Sequence, residues 1–396
     1  MVGGGLCKSA GDLMIALPEA PPLALYIHIP WCLQKCPYCD FNSHATPEEL
    51  SEDSYVDALL LDLDGDLPLV KDRELISIFI GGGTPSLFSG ESIGRLLDGV
   101  RTRLPLVSDI EITLEANPGA VDREHFQGCR QAGVNRLSIG AQSFATEQLQ
   151  TLGRIHGPDE IDAAVEAARL AGFENLNLDI MYGLPQQSLT TAVFDVEKAI
   201  SLEPQHISYY QLTIEPNTRF YSAPPITPGD DLLMEIESRG RDLLDRAGYR
   251  QYEVSAFAQE GCECRHNRNY WEFGDYLGIG AGAHGKLSDP ANGRIFRTRK
   301  TKSPERYMHS TELHNLKIEQ VEEKDLALEF MLNALRLKQG FHPGLLQQRT
   351  GIELSMIESE LLQANERGLL DISDNLICPT SKGMKFLNEL VSMFMS

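Results

Sequence analysis

Three cysteines, Cys32, Cys36 and Cys39, stand at C-x3-C-x2-C just after a strand-like apolar run, Leu23 to Ile29. No other stretch narrows the chemistry of this chain so far. A loop this short can bring three thiolates to one place, and sulfur ligands suit a cubane iron–sulfur cluster. Three thiolates hold three irons and leave the fourth open to an exchangeable ligand. The same spacing also fits a three-cysteine zinc knuckle, or three unconnected thiols. Zinc sites usually take a second ligand pair at similar spacing downstream, and none follows closely here.

Composition sets the surroundings of that loop. With 396 residues the chain can bury a sizeable core and is expected to form one large domain and one small one. Its 42% hydrophobic and 23% charged residues are globular values. No apolar run approaches a membrane span, so an integral membrane protein is not expected. Residues 1–20 make a poor signal peptide. Eight cysteines, three of them clustered, fit reduced thiols in a cytoplasmic protein better than a disulfide framework. The formal charge of −22 argues against nucleic acid as a partner.

Along the chain, 1–22 reads as a flexible tail rich in Gly, Ala and Pro, with Met14 as an alternative start. From Leu23 onward, strand-like and helical segments alternate. Thr46-Pro47-Glu48-Glu49 reads as a helix start, with Thr46 as N-cap, Pro47 at N1 and Glu49 completing a capping box. Further strands are predicted over 75–80, 110–114, 136–139, 175–181, 206–214 and 252–257. Helices are predicted near 90–101, 122–132, 159–171, 190–202 and 230–247. This alternation predicts βαβ units, a parallel sheet and an incomplete (β/α) barrel. The motifs fall at strand ends, where barrels of this kind keep their chemistry. Residues 262–271 read as a loop. A Gly-rich run, 277–285, and a basic stretch, 294–302, follow. The tail predicts a helix over 322–338, two short helices, a β-wing at 369–372 and 376–378, and an amphipathic helix over 380–394.

Tyr-x-His-x-Pro-x-Cys-x3-Cys-x2-Cys, starting at Tyr26, resembles the radical S-adenosylmethionine (SAM) signature in the variant of the oxygen-independent coproporphyrinogen oxidases and their relatives. The resemblance implies a [4Fe–4S] cluster on Cys32, Cys36 and Cys39. It also implies SAM on the open iron, cleavage to a deoxyadenosyl radical, and a reducing electron donor. Tyr26 and Tyr38 then belong to the SAM site, with Tyr38 beside the adenine. Gly81-Gly82-Gly83-Thr84-Pro85 resembles the family's glycine motif, so Gly82, Gly83 and Thr84 are expected to meet the SAM amino group. Glu115 and Asp179 match positions that accept from the ribose or the amino group. Gln142 matches one that holds a sugar hydroxyl, and Arg154 one that pairs with the carboxylate. The implied fold is α/β: an incomplete parallel (β/α)6-type radical SAM barrel over 23–258, an extension over 259–303, and a small winged-helix-like C-terminal domain over 304–396.

Two features separate branches of that family. The oxidases carry Gly-Cys after the third cysteine, whereas this chain has Asp40-Phe41. Downstream, His266-Asn267-Arg268-Asn269-Tyr270-Trp271 resembles the heme-chaperone branch. From the residues alone, His266 and Trp271 simply pack. The resemblance implies heme, with His266 on the iron, Arg268 on a propionate, Tyr270 and Trp271 against the porphyrin face, and Asn267 beside them. Cys262 and Cys264 form a C-x-C that reads first as structural thiols and second as a further ligand source for heme or metal. The bases Arg294, Arg297, Arg299, Lys300 and Lys302 read first as a solvated face and second as a propionate-binding edge. The expected function is a chaperone that passes heme to an acceptor protein and leaves room for a homodimer. The alternative is oxygen-independent decarboxylation of coproporphyrinogen III. A zinc-holding interaction protein stands third.

Overall fold

The computed structural model describes residues 17–47, 50–70, 72–120, 123–309 and 317–395. Six strands follow one another in the chain: β1 (Leu23–Ile29), β2 (Leu75–Gly82), β3 (Leu106–Ala116), β4 (Arg136–Gln142), β5 (Asn175–Tyr182) and β6 (His206–Gln211). All pair in parallel with their sequence neighbours. Helices α1 (Glu52–Val70), α2 (Gly90–Arg101), α3 (Arg123–Ala132), α4 (Pro158–Leu170) and α5 (Leu189–Ser201) make the crossovers, and α6 (Asp230–Arg246) follows β6. Local chemistry sets their starts. The Ser89 and Ser188 hydroxyls accept from Ser92 N and Thr191 N as N-caps of α2 and α5. Pro158 opens α4 at a position that needs no N–H donor.

The sheet extends past these six strands on both sides. Beyond β6 lie β7 (Arg250–Gln251) and β8 (Ala256–Ala258), and beyond β1 lie β9 (Asp275–Ile279), β10 (His284–Asp289), β11 (Arg294–Arg299) and β12 (Lys317–Gln320). The order is β12-β11-β10-β9-β1-β2-β3-β4-β5-β6-β8-β7, and β9 adds a seventh parallel strand beside β1. Among the described residues no pairing joins β12 to β7, so the barrel is incomplete, as expected. Apolar residues of the strands, such as Leu25, Ile78, Leu114, Leu137 and Leu178, share one core with the crossover helices.

A second core joins Phe330, Phe341, Leu346, Leu361 and Ile377 to Phe273 and Ile295. It comprises α8 (Glu323–Ala334), α9 (Gly344–Thr350), α10 (Glu358–Glu366) and the hairpin β13 (Leu370–Ser373) and β14 (Leu376–Pro379). The hairpin is the predicted wing.

Several expectations are corrected. Helix α1 begins at Glu52, not at Thr46, and Glu49 lies outside the described residues. The segment before β1 is not loose throughout: Leu17 is buried in the second core. Residues 1–16, with Met14, lie outside the described residues. Of the strand expected over 252–257, only 256 and 257 are strand, at the start of β8; 252–255 make a tight turn between β7 and β8, braced by Ser255 N donating to Glu253 Oε1 at 3.0 Å. The helix expected over 380–394 is two short ones, Ser381–Lys385 and Leu387–Ser392. They part at Phe386, where φ −112° and ψ 40° leave the helical region. Among the described residues no helix is long and apolar enough to cross a membrane.

The edge where β9 meets β10 hangs on one buried charge. Asp275 accepts from Lys286 Nζ at 3.0 Å, Ser288 N at 2.9 Å and Arg73 Nη1 at 2.9 Å. Burial pushes this carboxyl up, but Lys286 and Arg73 outweigh it and hold it below the ordinary carboxylate value. Asp275→Ala strands the buried Lys286 ammonium. It is expected to cost about 3–5 kcal/mol of unfolding free energy in urea titration, whereas a surface pair such as Arg250–Asp245 costs under about 1 kcal/mol.

Candidate functional site

The cysteine loop is closed at its base. Trp31 and Cys32 bridge to His44 and Ala45, so the segment between them leaves and returns at one point. Thr46 is the latch: its N–H and its hydroxyl both donate to Cys32 O, each at 3.0 Å. The threonine that read as a helix cap therefore secures the loop instead. Inside it, Lys35 Nζ donates to Phe41 O at 3.3 Å and Ser43 O at 3.2 Å. All three cysteines are free and partly exposed. Burial pushes the Cys32 and Cys39 thiols up, and hydrogen bonds from Thr84 and Ser43 respectively offset part of that. Among the described residues no three His, Cys, Asp or Glu side chains converge tightly enough for a single metal ion. A cubane takes one thiolate per iron and does not need such convergence.

The glycine run ends β2 against the start of the loop. Gly83 N donates to Ile29 O and Thr84 N to Trp31 O, each at 2.7 Å. Gly82 has φ +117°, and a Cβ there would lie 2.6 Å from the His28 ring; a Cβ on Gly83 would lie 2.4 Å from Trp31 O. Glycine is required here by the neighbouring β1 end as well as by any ligand. Gly82 N donates to Glu115 Oε2 at 3.0 Å. Burial first, and Asp179 second, push Glu115 up to about 7.

The lumen carries a connected polar row. Register aligns Glu115 with Ser138, Ser138 with Asn177, and Asn177 with His206. Ser138 Oγ donates to Asp179 Oδ2 at 3.0 Å, and Asn177 Nδ2 to Asp179 Oδ1 at 2.8 Å. Tyr210 OH donates to Gln142 Oε1 at 2.8 Å. Gln142 itself sits at φ +67°, a strained setting for a non-glycine residue. Arg154 Nη2 donates to Gly140 O at 2.9 Å and Nη1 lies 3.7 Å from Cys36 Sγ, while its buried Nε has no acceptor among the described residues.

These groups face one cavity of about 580 Å³. Its wall takes in Cys32, Cys36, Cys39, Tyr38 and Arg154, then Gly82, Gly83 and Thr84, then Glu115, Gln142 and Asp179. Asn267 reaches it from the opposite side. The structure therefore brings together most of the residues singled out from sequence, drawn from segments more than a hundred positions apart. Sequence reasoning missed Ser138, Ser208, Tyr210, Glu253 and Arg336, which also line it. A signal for the strand residues existed: Ser138, Gly140 and Gln142, and likewise Ser208 and Tyr210, recur with a period of two.

Five singled-out residues do not line the cavity. Tyr26 lies deeper in the lumen, its hydroxyl 2.9 Å from His28 Nδ1. The segment read as a loop is helix α7 (Arg265–Trp271). Its start is capped from another element, because Arg265 N and His266 N both donate to the Glu111 carboxylate of β3 at 3.1 Å. His266 is fully buried against Phe79 and Tyr26, with Nδ1 3.0 Å from Ser77 Oγ and Nε2 2.7 Å from Tyr270 OH. Both ring nitrogens thus have a hydroxyl partner, so the lone pair expected to face iron here faces a hydroxyl. Burial first, and Arg136 second, push it down to about 3. Arg268 is exposed and pairs with Glu272 at 2.8 Å. Trp271 lies under the Arg336 guanidinium, 4.2 Å from the ring centroid. Tyr270 packs on Tyr276. Cys264 is buried with its thiol 3.5 Å from Glu111, as a structural thiol should be. Of the basic stretch, Arg297 pairs with Glu329, Arg299 with Glu319, and Lys300 is buried against Asp62 and Asp66. It is thus only in part a solvated face.

Comparison with known proteins matches this arrangement. Residues 26–195 match the model of the radical SAM superfamily, and residues 321–386 that of the HemN C-terminal domain. Heme chaperone HemW of Escherichia coli K12 is 51% identical over 96% of this chain and 99% of its own length. HemW of Haemophilus influenzae is 48% identical over 96% and 100%, and that of Bacillus subtilis 33% over 93% and 98%. Among solved structures, coproporphyrinogen III oxidase HemN of E. coli superposes with a TM-score of 0.80 at 23% identity, covering 97% of this chain and 92% of that one, which shows a common fold. The chain belongs to the HemW family of the radical SAM superfamily.

Proposed function

We propose that this protein is a heme chaperone that holds a SAM-ligated [4Fe–4S] cluster and passes heme to an acceptor protein. The observation that carries the reading is 51% and 48% identity, over 96% of this chain, to proteins named heme chaperone HemW, together with three free cysteines, a glycine turn and a polar row around one cavity. The residues fit the cofactors. Cys32, Cys36 and Cys39 would hold the cluster, and the unpartnered Nε of Arg154 suits a carboxylate beside it. Asp179 offers a carboxylate toward a cationic sulfonium and amine, Glu115, pushed up to about 7, would release its proton as such a cation enters, and Tyr38 with Phe220 offers an aromatic face. Bound together, cluster and SAM supply one-electron chemistry. For heme, Asn267 on the cavity side and Arg268 on the exposed side of α7 are the available contacts. A reducing protein would serve the cluster, a homodimer fits the same scheme, and the proposed setting is the cytoplasm. The oxidase alternative has the fold in its favour and Asp40-Phe41 after the third cysteine against it.

Three outcomes test this. Each of Cys32→Ala, Cys36→Ala and Cys39→Ala should abolish the brown chromophore after anaerobic reconstitution, whereas Cys129→Ala keeps it; a triple variant that still assembles the cluster refutes the assignment.

Glu115 gives a pH signature. Its folded value, about 7, lies above the ordinary 4.5, so the folded protein keeps a proton that the unfolded chain releases. Ligand-free protein should therefore lose stability as pH rises from 4.5 to about 7, by at most about 3 kcal/mol. Glu115→Gln should flatten that slope in denaturant melts across the same window.

Heme should bind wild type without cluster or SAM, and no coproporphyrinogen should be decarboxylated. Arg268→Ala should weaken heme binding several-fold in a Soret titration. His266→Ala should leave the Soret position unchanged while lowering stability, because both ring nitrogens already have hydroxyl partners. Soret loss at unchanged stability would make His266 the iron ligand. Decarboxylation with SAM consumed would favour the oxidase.

A further inference from the structure

Asn42 stands three residues past Cys39, and none of the chemistry above uses it. Its amide donates both protons, to Ala281 O at 2.8 Å and to Lys302 O at 2.9 Å. Its own backbone carbonyl lies 2.9 Å from His28 Nε2, and its Oδ1 3.3 Å from His44 Nε2. The two acceptors are parts of one slot, because Gly282 N donates to Thr301 O at 2.7 Å and closes the β9–β10 turn onto the chain after β11. Gly282 has φ +85°, and a Cβ there would lie 2.4 Å from Asn42 Nδ2. Gly280 has φ +105°, and a Cβ there would lie 2.3 Å from His28 O. The Gly-rich run thus admits backbone and amide from the cysteine-loop side, where any larger residue would collide.

The slot lies where the third cysteine is thinly covered. A second depression of about 480 Å³ opens on the outside of the loop, and its wall includes Lys35, Cys39, Phe41, Asn42 and Lys302. Cys39 also lines the central cavity. Cys39, Asp40 and Phe41 line both hollows, so the segment carrying Cys39 stands between them, and Asn42 fastens the exit of that segment to the Gly-rich run and the chain after β11.

We infer that Asn42 is a positioning residue for Cys39, clamped in the slot of the Gly-rich run so that this thiol stays turned to the cavity and shielded from the outer depression. The inference deepens the cluster reading, but its first test uses thiols alone. In the ligand-free full-length protein, residue-resolved alkylation by iodoacetamide is followed by mass spectrometry. Asn42→Ala should speed modification of Cys39 roughly tenfold, the scale of two ordinary hydrogen bonds, with buried Cys129 and Cys264 unchanged. Asn42→Asp, which keeps the shape but turns a carboxylate onto two carbonyls, should do at least as much. Gly282→Ala should expose Cys39 in the wild-type background and add little to Asn42→Ala, the non-additivity of a shared contact. In reconstituted protein, the same variants should lose iron to a chelator faster by a similar factor. Equal Cys39 rates in wild type and Asn42→Ala overturn the clamp. So does a parallel rise at Cys129 and Cys264 with a lowered Tm, which makes Asn42 a general stability residue. Wild type that takes up no cluster, with Cys39 still exposed by Asn42→Ala, sinks the cofactor reading and leaves the clamp standing.

Discussion

The site depends on a period of two. Successive side chains of a strand face opposite sides of the sheet, so each strand must supply one apolar and one other face. Here Leu25, Ile78, Leu114, Leu137 and Leu178 go to the helices. The intervening set, Glu115, Ser138, Asn177, Asp179 and Ser208, is left to line the interior of an incomplete barrel. Polar groups enclosed in protein are tolerated only when partnered. They partner one another: Ser138 and Asn177 serve Asp179, and the Asn177 side-chain Oδ1 lies 2.6 Å from His206 Nδ1 and accepts from Ser208 Oγ at 3.1 Å. The row is fixed by its own hydrogen bonds, so a cofactor bound there would meet a standing field rather than one it must organise.

A row of this kind needs a floor, and helix α7 provides it. The helix is too short to be stable alone, and its first N–H groups have no residue of their own to cap them. Glu111, on the neighbouring wall, takes two of them. His266 then fills the space under Tyr26 and Phe79. From the other side, Lys338 N donates to Tyr252 O at 3.0 Å and Arg336 pairs with Glu253 at 3.1 Å. The C-terminal segment thereby closes the far end of the cavity, and Arg336 and Asn267 reach it together.

What could be read from the sequence follows from this division. The cysteine spacing, the glycine run, the strand ends and the wing are local patterns, and they stood where expected. Thr46 misled because its neighbours make a good cap sequence, yet its hydroxyl found a carbonyl fourteen residues back. The 262–271 segment hid its helix because the capping carboxylate is Glu111, which no local pattern connects to it. Asn42 escaped notice, and the Gly-rich run with Gly282 was noted without a partner, for the same reason: the two meet across some 240 residues, and no local pattern connects them.

His266 shows how a buried environment decides what an imidazole can do. Held far below its ordinary value by burial and by Arg136, the ring is neutral at any physiological pH, which is the form that ligates metals. A neutral imidazole has a single acceptor nitrogen, and here either nitrogen meets a hydroxyl, from Ser77 or from Tyr270. Offering that lone pair to iron would leave a buried hydroxyl without its partner, at about 1–3 kcal/mol. It would also withdraw the ring from between Phe79 and Tyr270, and with it the N–H groups that Glu111 accepts from. On the proposed heme reading, iron ligation by His266 would therefore compete with the present seating of α7. Asn267 and Arg268, on its open sides, meet no such competition, so on the proposed heme reading they are the residues of this helix that could contact a porphyrin edge with the floor of the barrel left as it stands.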